Sequence, residues 1–184
     1  MINRMSESIS NFIIKNAPTM SERKEVLMYG CNTALYTIIS TLGLLMVGFL
    51  FGKGNESIMI IGLFYFNQTI GGGVHANSHL KCFLMMCVFL MIALLITNCM
   101  LSNSACLVIA CVGLLMLYYL PVVLHENKQY LSTRREKLTR LNKRMIIIES
   151  IVCLVMGILW PSWSKIILAG IVISFTSRMI VLLK

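Results

Sequence analysis

A chain of 184 residues with 58% hydrophobic residues, 12% charged residues, no aspartate and a mean hydropathy of +0.83 cannot hide its apolar surface in one soluble core. It reads as an integral membrane protein. The net charge of +9 comes from sixteen basic residues spread over apolar flanks without interleaved aromatics, which argues against nucleic acid as a partner.

The chain opens on a predicted amphipathic interfacial helix within residues 1–18. Ile2, Met5, Ile9, Phe12 and Ile13 keep helical spacing, while Arg4, Glu7, Ser8, Asn11 and Lys15 fill the rest of the wheel. Asn16-Ala17-Pro18 ends it, and Thr19 with Glu22 has the spacing of a capping box that starts the next helix. The charges in this opening segment, with no small-residue cleavage site after an apolar run, speak against a cleavable signal.

Apolar stretches of about 20 residues, the length needed to cross ~30 Å of hydrocarbon, then recur along the chain. Spans are predicted at residues 26–51, 80–101, 105–124 and 163–183, with two shorter ones at 57–70 and 145–160. The expectation is an all-α, polytopic membrane protein with about six transmembrane or partly re-entrant helices, forming a single domain over residues 1–184. If both ends are cytoplasmic, fourteen of the sixteen basic residues face inward and only Lys53 and Lys165 face out. Lysine and arginine bias of this kind is the strongest orientation signal a sequence carries. Trp160 and Trp163, flanking Pro161, fall at the proposed outer boundary, where amphipathic rings prefer to sit.

Six of the seven cysteines have apolar neighbours inside presumed spans and read as small packing residues; the odd count argues against a disulfide framework. Cys82 differs. It follows Lys81, with His79 and His75 just upstream, in the stretch "GGGVHANSHLKC" at residues 71–82. Positive neighbours favour the thiolate, which is the reactive form. On one continuous helix His75 and Cys82 would stand two turns, roughly 10 Å, apart, so the chain between them must bend for a proton to pass. Gly71, Gly72 and Gly73 give that freedom, and Asn77-Ser78 is suited to cap a helix that begins at His79 and carries Cys82 in its first turn. If helical, residues 57–70 reach only about 21 Å, so the glycine loop is expected below the headgroup level, where water is limited.

Three readings of the cluster follow from the residues alone. It could be a polar interfacial turn whose histidines satisfy hydrogen bonds. It could be a zinc site on His75, His79 and Cys82 with an open fourth position, although the glutamate of an HExxH arrangement is absent. It could be a dyad in which His75 deprotonates Cys82 and the thiolate attacks a carbonyl.

"GGGVHANSHLKC" resembles the signature of the accessory gene regulator B (AgrB) family, membrane peptidases of Gram-positive quorum sensing, in which a Gly-x-His-Ala element precedes a catalytic cysteine. The matching positions are Gly73, His75, Ala76 and Cys82. "LPVVLHENKQYLSTRREKLTRLNKR" is similar to the family's Pro-Val element followed by Asn-Lys, a leucine and a basic run, on Pro121, Val122, Asn127, Lys128 and Leu131. One position departs: an arginine usual in the family seven residues before the histidine is Gln68 here.

The resemblance implies a cysteine endopeptidase without a metal or other cofactor. Such a protein cuts an AgrD-like precursor peptide, holds its upstream part as a thioester on Cys82, and promotes closure to a thiolactone or lactone autoinducing peptide. His75 would serve as base and acid, with His79, Ser78, Asn77 or Gln68 orienting it or donating to the oxyanion. Residues 67–82 would form the catalytic loop and helix start. A basic cytoplasmic loop at 125–144, through Arg134, Arg135 and Lys137, would attract an acidic precursor tail. The resemblance further implies the cell membrane of a Gram-positive bacterium, a multi-pass chain contacting lipid, an active site toward the cytoplasm, and a homodimer. From a different class, the alternative is a non-enzymatic membrane scaffold or transporter component with a structural or zinc-binding His/Cys cluster. Glu149, the one acid inside a predicted crossing, is expected to pair with a cytoplasmic-side arginine.

Overall fold

The computed structural model describes residues 2–17, 22–74, 76, 78–123 and 132–183, with 132–134 as backbone only. Among these the chain is all helical: α1 (Ile2–Asn16), α2 (Lys24–Leu50), α3 (Gly54–Gly71), α4 (His79–Thr97), α5 (Asn103–Tyr119), α6 (Ser132–Leu159) and α7 (Ser164–Leu182), with a 3₁₀ turn at Pro161–Trp163. It is an all-α membrane protein. Among the described residues, the helices at Lys24–Leu50 and His79–Thr97 and the segment Pro161–Leu182 are long and apolar enough to cross a bilayer; the apolar helix Asn103–Tyr119 is shorter.

Two compact units partition the chain, Met1–Met46 and Val47–Lys184. In the first, α1 ends at Asn16 as its Asn-Ala-Pro sequence requires. Its buried residues are Ser6 and Ser10, and the Ser6 hydroxyl reaches Asn32 Oδ1 on α2 at 3.2 Å. Met5, Ile9 and Phe12 stay exposed, with Phe12 at 69%. Arg4, Glu7, Asn11 and Lys15 are exposed on the rest of the helix, so apolar and charged faces both lie open, the partition of an interfacial helix. Of the expected capping box, Thr19 lies outside the described residues.

In the second unit α7 is the central helix, packed on α3, α4 and α5, with α6 against α5. Small residues let the helices approach: Gly170 lies against Leu63 of α3, and Gly113 of α5 against Ile171. Cys106, Ala110, Leu114 and Leu117 of α5 meet Ile146 and Cys153 of α6 and Ile167, Leu168 and Ile171 of α7 in one core. On α4 the split between protein and lipid is explicit. Phe89, Leu90 and Ala93 are buried, while Leu84, Val88, Ile92 and Leu95 form an exposed stripe at helical spacing. An apolar stripe of that length facing outward belongs against lipid tails.

Two expectations change. Helix α3 starts at Gly54 and has 18 residues, reaching about 27 Å where about 21 Å was expected. The segment read as a basic loop up to residue 144 is helical from Ser132 and continues unbroken into the predicted fifth span, as one helix of 28 residues. Its Arg, Glu, Lys and Leu residues, with no glycine or proline before Gly157, are good helix formers, so nothing in the sequence stops the helix at the membrane boundary.

Candidate active site

The break between α3 and α4 has physical causes at both ends. At the α3 end, Gly72 adopts φ 73° and ψ 177°, open to glycine and poorly tolerated by other residues. Its N–H still donates to Gln68 O at 3.1 Å, closing the last turn. At the α4 end, Ser78 is the N-cap: its hydroxyl accepts the Lys81 N–H at 3.3 Å, and the Cys82 N–H donates to Ser78 O at 3.0 Å. This is the cap the sequence predicted. Cys82 accordingly sits half-buried in the first turn of α4, at the positive end of the helix dipole, between the exposed Lys81 and the half-buried Phe83. Ser78 and His79 are exposed. His75 and Asn77 lie outside the described residues.

What the structure adds is a cradle around the segment that leads to His75. Val74 is buried; its N–H donates to Ser177 Oγ at 3.1 Å, and its carbonyl accepts from Gln68 Nε2 at 3.2 Å. Gln68, expected to act on the histidine or the oxyanion, therefore holds backbone one residue before His75. Val123 donates its N–H to Gly71 O at 2.9 Å, and its carbonyl lies where a side chain on Gly72 would have to go. The glycine run and the Pro121-Val122 stretch, fifty residues apart in sequence, are thereby joined.

Beneath this loop lies a buried polar cluster that sequence reasoning did not assemble. Arg178 is 1% exposed and hydrogen-bonds Leu117 O at 3.3 Å, Asn67 O at 3.4 Å and Asn142 Oδ1 at 3.3 Å. Its guanidinium occupies the space that a Cβ on Gly71 would need, so only glycine fits there. Glu149, 4% exposed, accepts the Asn67 side-chain N–H at 2.7 Å. Asn67 thus bridges the two charges. Counted from sequence, Arg178 was an inward-facing flank charge; it is an interior residue. Glu149 was expected to pair with an arginine, but its hydrogen bond comes from an amide, with Arg178 bound to the same asparagine. The available signal was Ser177-Arg178 inside an apolar run, because ionisable groups at membrane depth are rarely idle. Among the basic residues proposed to hold substrate, Arg135 and Lys137 are exposed on α6, and the side chain of Arg134 lies outside the described residues.

A break between two apolar helices thus brings a clamped glycine loop and a cysteine in a capped first turn into one stretch of chain. Residues 6–182 match the model of the Accessory gene regulator B family, AgrB. The chain belongs to that family. It is also similar to an AgrB-like protein of Clostridium perfringens (strain SM101 / Type A), 28% identical over 85 residues that cover 46% of this chain and 40% of that relative. No solved structure matches the chain. AgrB membership supports a part in accessory-gene-regulator quorum sensing.

Proposed function

We propose that this AgrB member is a multi-pass membrane cysteine endopeptidase that matures an AgrD-like precursor peptide into a cyclic signal. The observation that supports this best is the placement of Cys82. It stands half-buried in a capped first turn, directly after a loop whose backbone is fixed on both sides by Ser177 and Gln68. In the reaction His75 takes the Cys82 proton, and the thiolate attacks the scissile carbonyl carbon. The C–N bond breaks as His75 returns the proton to the leaving amine. The upstream peptide remains as a thioester on Cys82. A cysteine or serine of that peptide, deprotonated by His75, then attacks the thioester carbonyl. The ring closes as a thiolactone or lactone, and Cys82 recovers its proton. The half-buried position of Cys82 limits contact of the thioester with water, which would otherwise release a linear acid. His79, Ser78 and Asn77 stand nearest in sequence to orient His75 or meet the oxyanion, and the clamp from Gln68 fixes the approach of the loop.

The site faces the cytoplasm in this reading. With Arg178 interior, thirteen of the sixteen basic residues flank the inner ends of spans, and Lys53 and Lys165 the outer. The chain functions as a single catalytic domain in contact with lipid, and as a homodimer.

Dyad and zinc chemistry separate under one comparison. Purified protein should keep its processing activity in excess strong chelator and lose it to a thiol alkylating reagent. Stoichiometric zinc in the purified protein, with activity that returns only on adding metal, would overturn the dyad.

The exposed basic face of α6 gives a smaller expected effect. Charges beside a membrane act over about one Debye length, ~8 Å at physiological salt. Neutralising Arg134, Arg135 and Lys137 together should therefore weaken binding of an acidic-tailed precursor several-fold while Cys82 stays reactive to alkylation. Cysteine accessibility from each side of the membrane, measured on the same samples, checks that no span has reoriented. Unchanged binding with unchanged topology would leave this face with an orienting role alone.

A further inference from the structure

At the far end of α4 from Cys82, fifteen residues and about 22 Å along the helix, lies a second feature that the peptidase reading does not use. A cavity of about 550 Å³ opens there. That volume falls within the ~300–1,000 Å³ of small-molecule sites. Its polar wall is supplied by Lys53, Asn55, Thr97, Ser162 and Lys165, with the Trp163 ring beside them.

Lys53 and Lys165, the two basic residues that the charge pattern sets apart from all others, converge on this cavity from positions far apart in the chain. Lys53 Nζ spends one N–H on Glu56 at 3.1 Å, and Lys165 Nζ spends one on Cys99 O at 2.6 Å. An ammonium has three donors, so both keep N–H groups for a further acceptor. Glu56 is the one acid in the wall; its carboxyl is held below the ordinary carboxylate range first by its own backbone N–H and also by Lys53. Two ammonium groups against one carboxylate leave the cavity with a positive balance, and Asn55, Ser162 and the Trp163 indole add neutral donors, while the Thr97 hydroxyl donates to Leu94 O at 2.8 Å. The wall then changes character. Ile58, Met59 and Ile166 complete it, and Ile58 is 47% exposed on the outer surface. Trp160 and Trp163 pair at 6.3 Å between ring centroids, as rings do at the headgroup level.

We propose that this cavity binds the phosphate of an anionic phospholipid headgroup, with Lys53 and Lys165 on the phosphate and the acyl chains leaving along the apolar track at Ile58. A cation pair set among neutral donors suits a phosphodiester, and the adjoining apolar track suits a ligand with a tail. The inference is independent of the peptidase reading.

Trp160 and Trp163 are the chain's two tryptophans, so tryptophan fluorescence excited selectively over the tyrosines reports on this region alone. The full-length protein in detergent is titrated with short-chain phosphatidylglycerol, short-chain phosphatidylcholine and inorganic phosphate. A saturable change is expected with phosphatidylglycerol, and a Lys53→Gln/Lys165→Gln protein should bind about tenfold more weakly, equivalent to ~1.4 kcal/mol. The Lys53→Arg/Lys165→Arg protein should retain binding, which separates lost charge from lost folding. Saturation by inorganic phosphate at the same concentrations, with the same dependence on the lysines, would assign the site to free phosphate and overturn the lipid as ligand. No saturable change with phosphatidylglycerol, an equal response to phosphatidylcholine, or undiminished binding by the glutamine protein would also overturn the proposal.

Discussion

Replacing Arg178 by methionine is expected to destabilise the helical bundle more than any other single exchange considered for this chain. The arginine is 1% exposed and satisfies the carbonyls of Asn67 and Leu117 and the side chain of Asn142, tying α3, α5 and α6 to α7. Methionine fills much of the volume but donates nothing, and it leaves Glu149 as a buried charge bound only to an amide. Each buried acceptor left without its donor costs on the order of 1–3 kcal/mol, so the loss of all three donations costs several kcal/mol. For a chain of this size that corresponds to a fall in melting temperature on the order of 10 °C. Thermal unfolding of the purified protein in detergent, followed by helical circular dichroism, measures it. Adding Glu149→Gln to the methionine variant should recover part of the loss, since a neutral amide can stay beside Asn67 without a counter-charge. A methionine variant as stable as the parent would show that the cluster carries no structural weight.

Exchange of Cys82 for alanine should remove precursor processing altogether, a loss of at least ~10³-fold, because a methyl group cannot form the covalent intermediate. Cys87→Ser and Cys99→Ser should process close to the parent rate. Neither stands at a helix start after a clamped loop: Cys87 lies more than a turn further along α4, and Cys99 follows its end. The alanine side chain is smaller than the thiol and Cys82 is only half-buried, so the variant should fold and bind precursor normally. Processing at the parent rate by Cys82→Ala would remove this residue from the mechanism.

Local features of this fold were legible in the sequence because their causes are local. Ser78 caps α4 where a serine before an apolar run should, the glycine run ends α3, and Asn16-Ala17-Pro18 ends α1. The long apolar stretches gave α2, α4, α5 and α7 within a few residues. The failures share a different cause. Arg178 touches Gly71 from more than a hundred positions away, and no periodicity or composition links a glycine in one helix terminus to an arginine in the last helix. Likewise, the sequence assigned Ser177 no part and Gln68 a part beside His75 or the oxyanion, and only the fold brings the two to the two sides of Val74. The α6 boundary was missed because charge marks where a membrane ends, whereas helix propensity decides where a helix ends, and in residues 132–159 the two disagree.

The thioester on Cys82 is the step on which the whole reading turns, and it can be weighed. Purified protein mixed with precursor for a short time, quenched in acid and examined by mass spectrometry should carry the upstream peptide as an adduct on the fragment containing Cys82. That adduct should be released by hydroxylamine and be absent from Cys82→Ala. Formation of cyclic product at the parent rate with no adduct on that fragment at any time point would contradict the account.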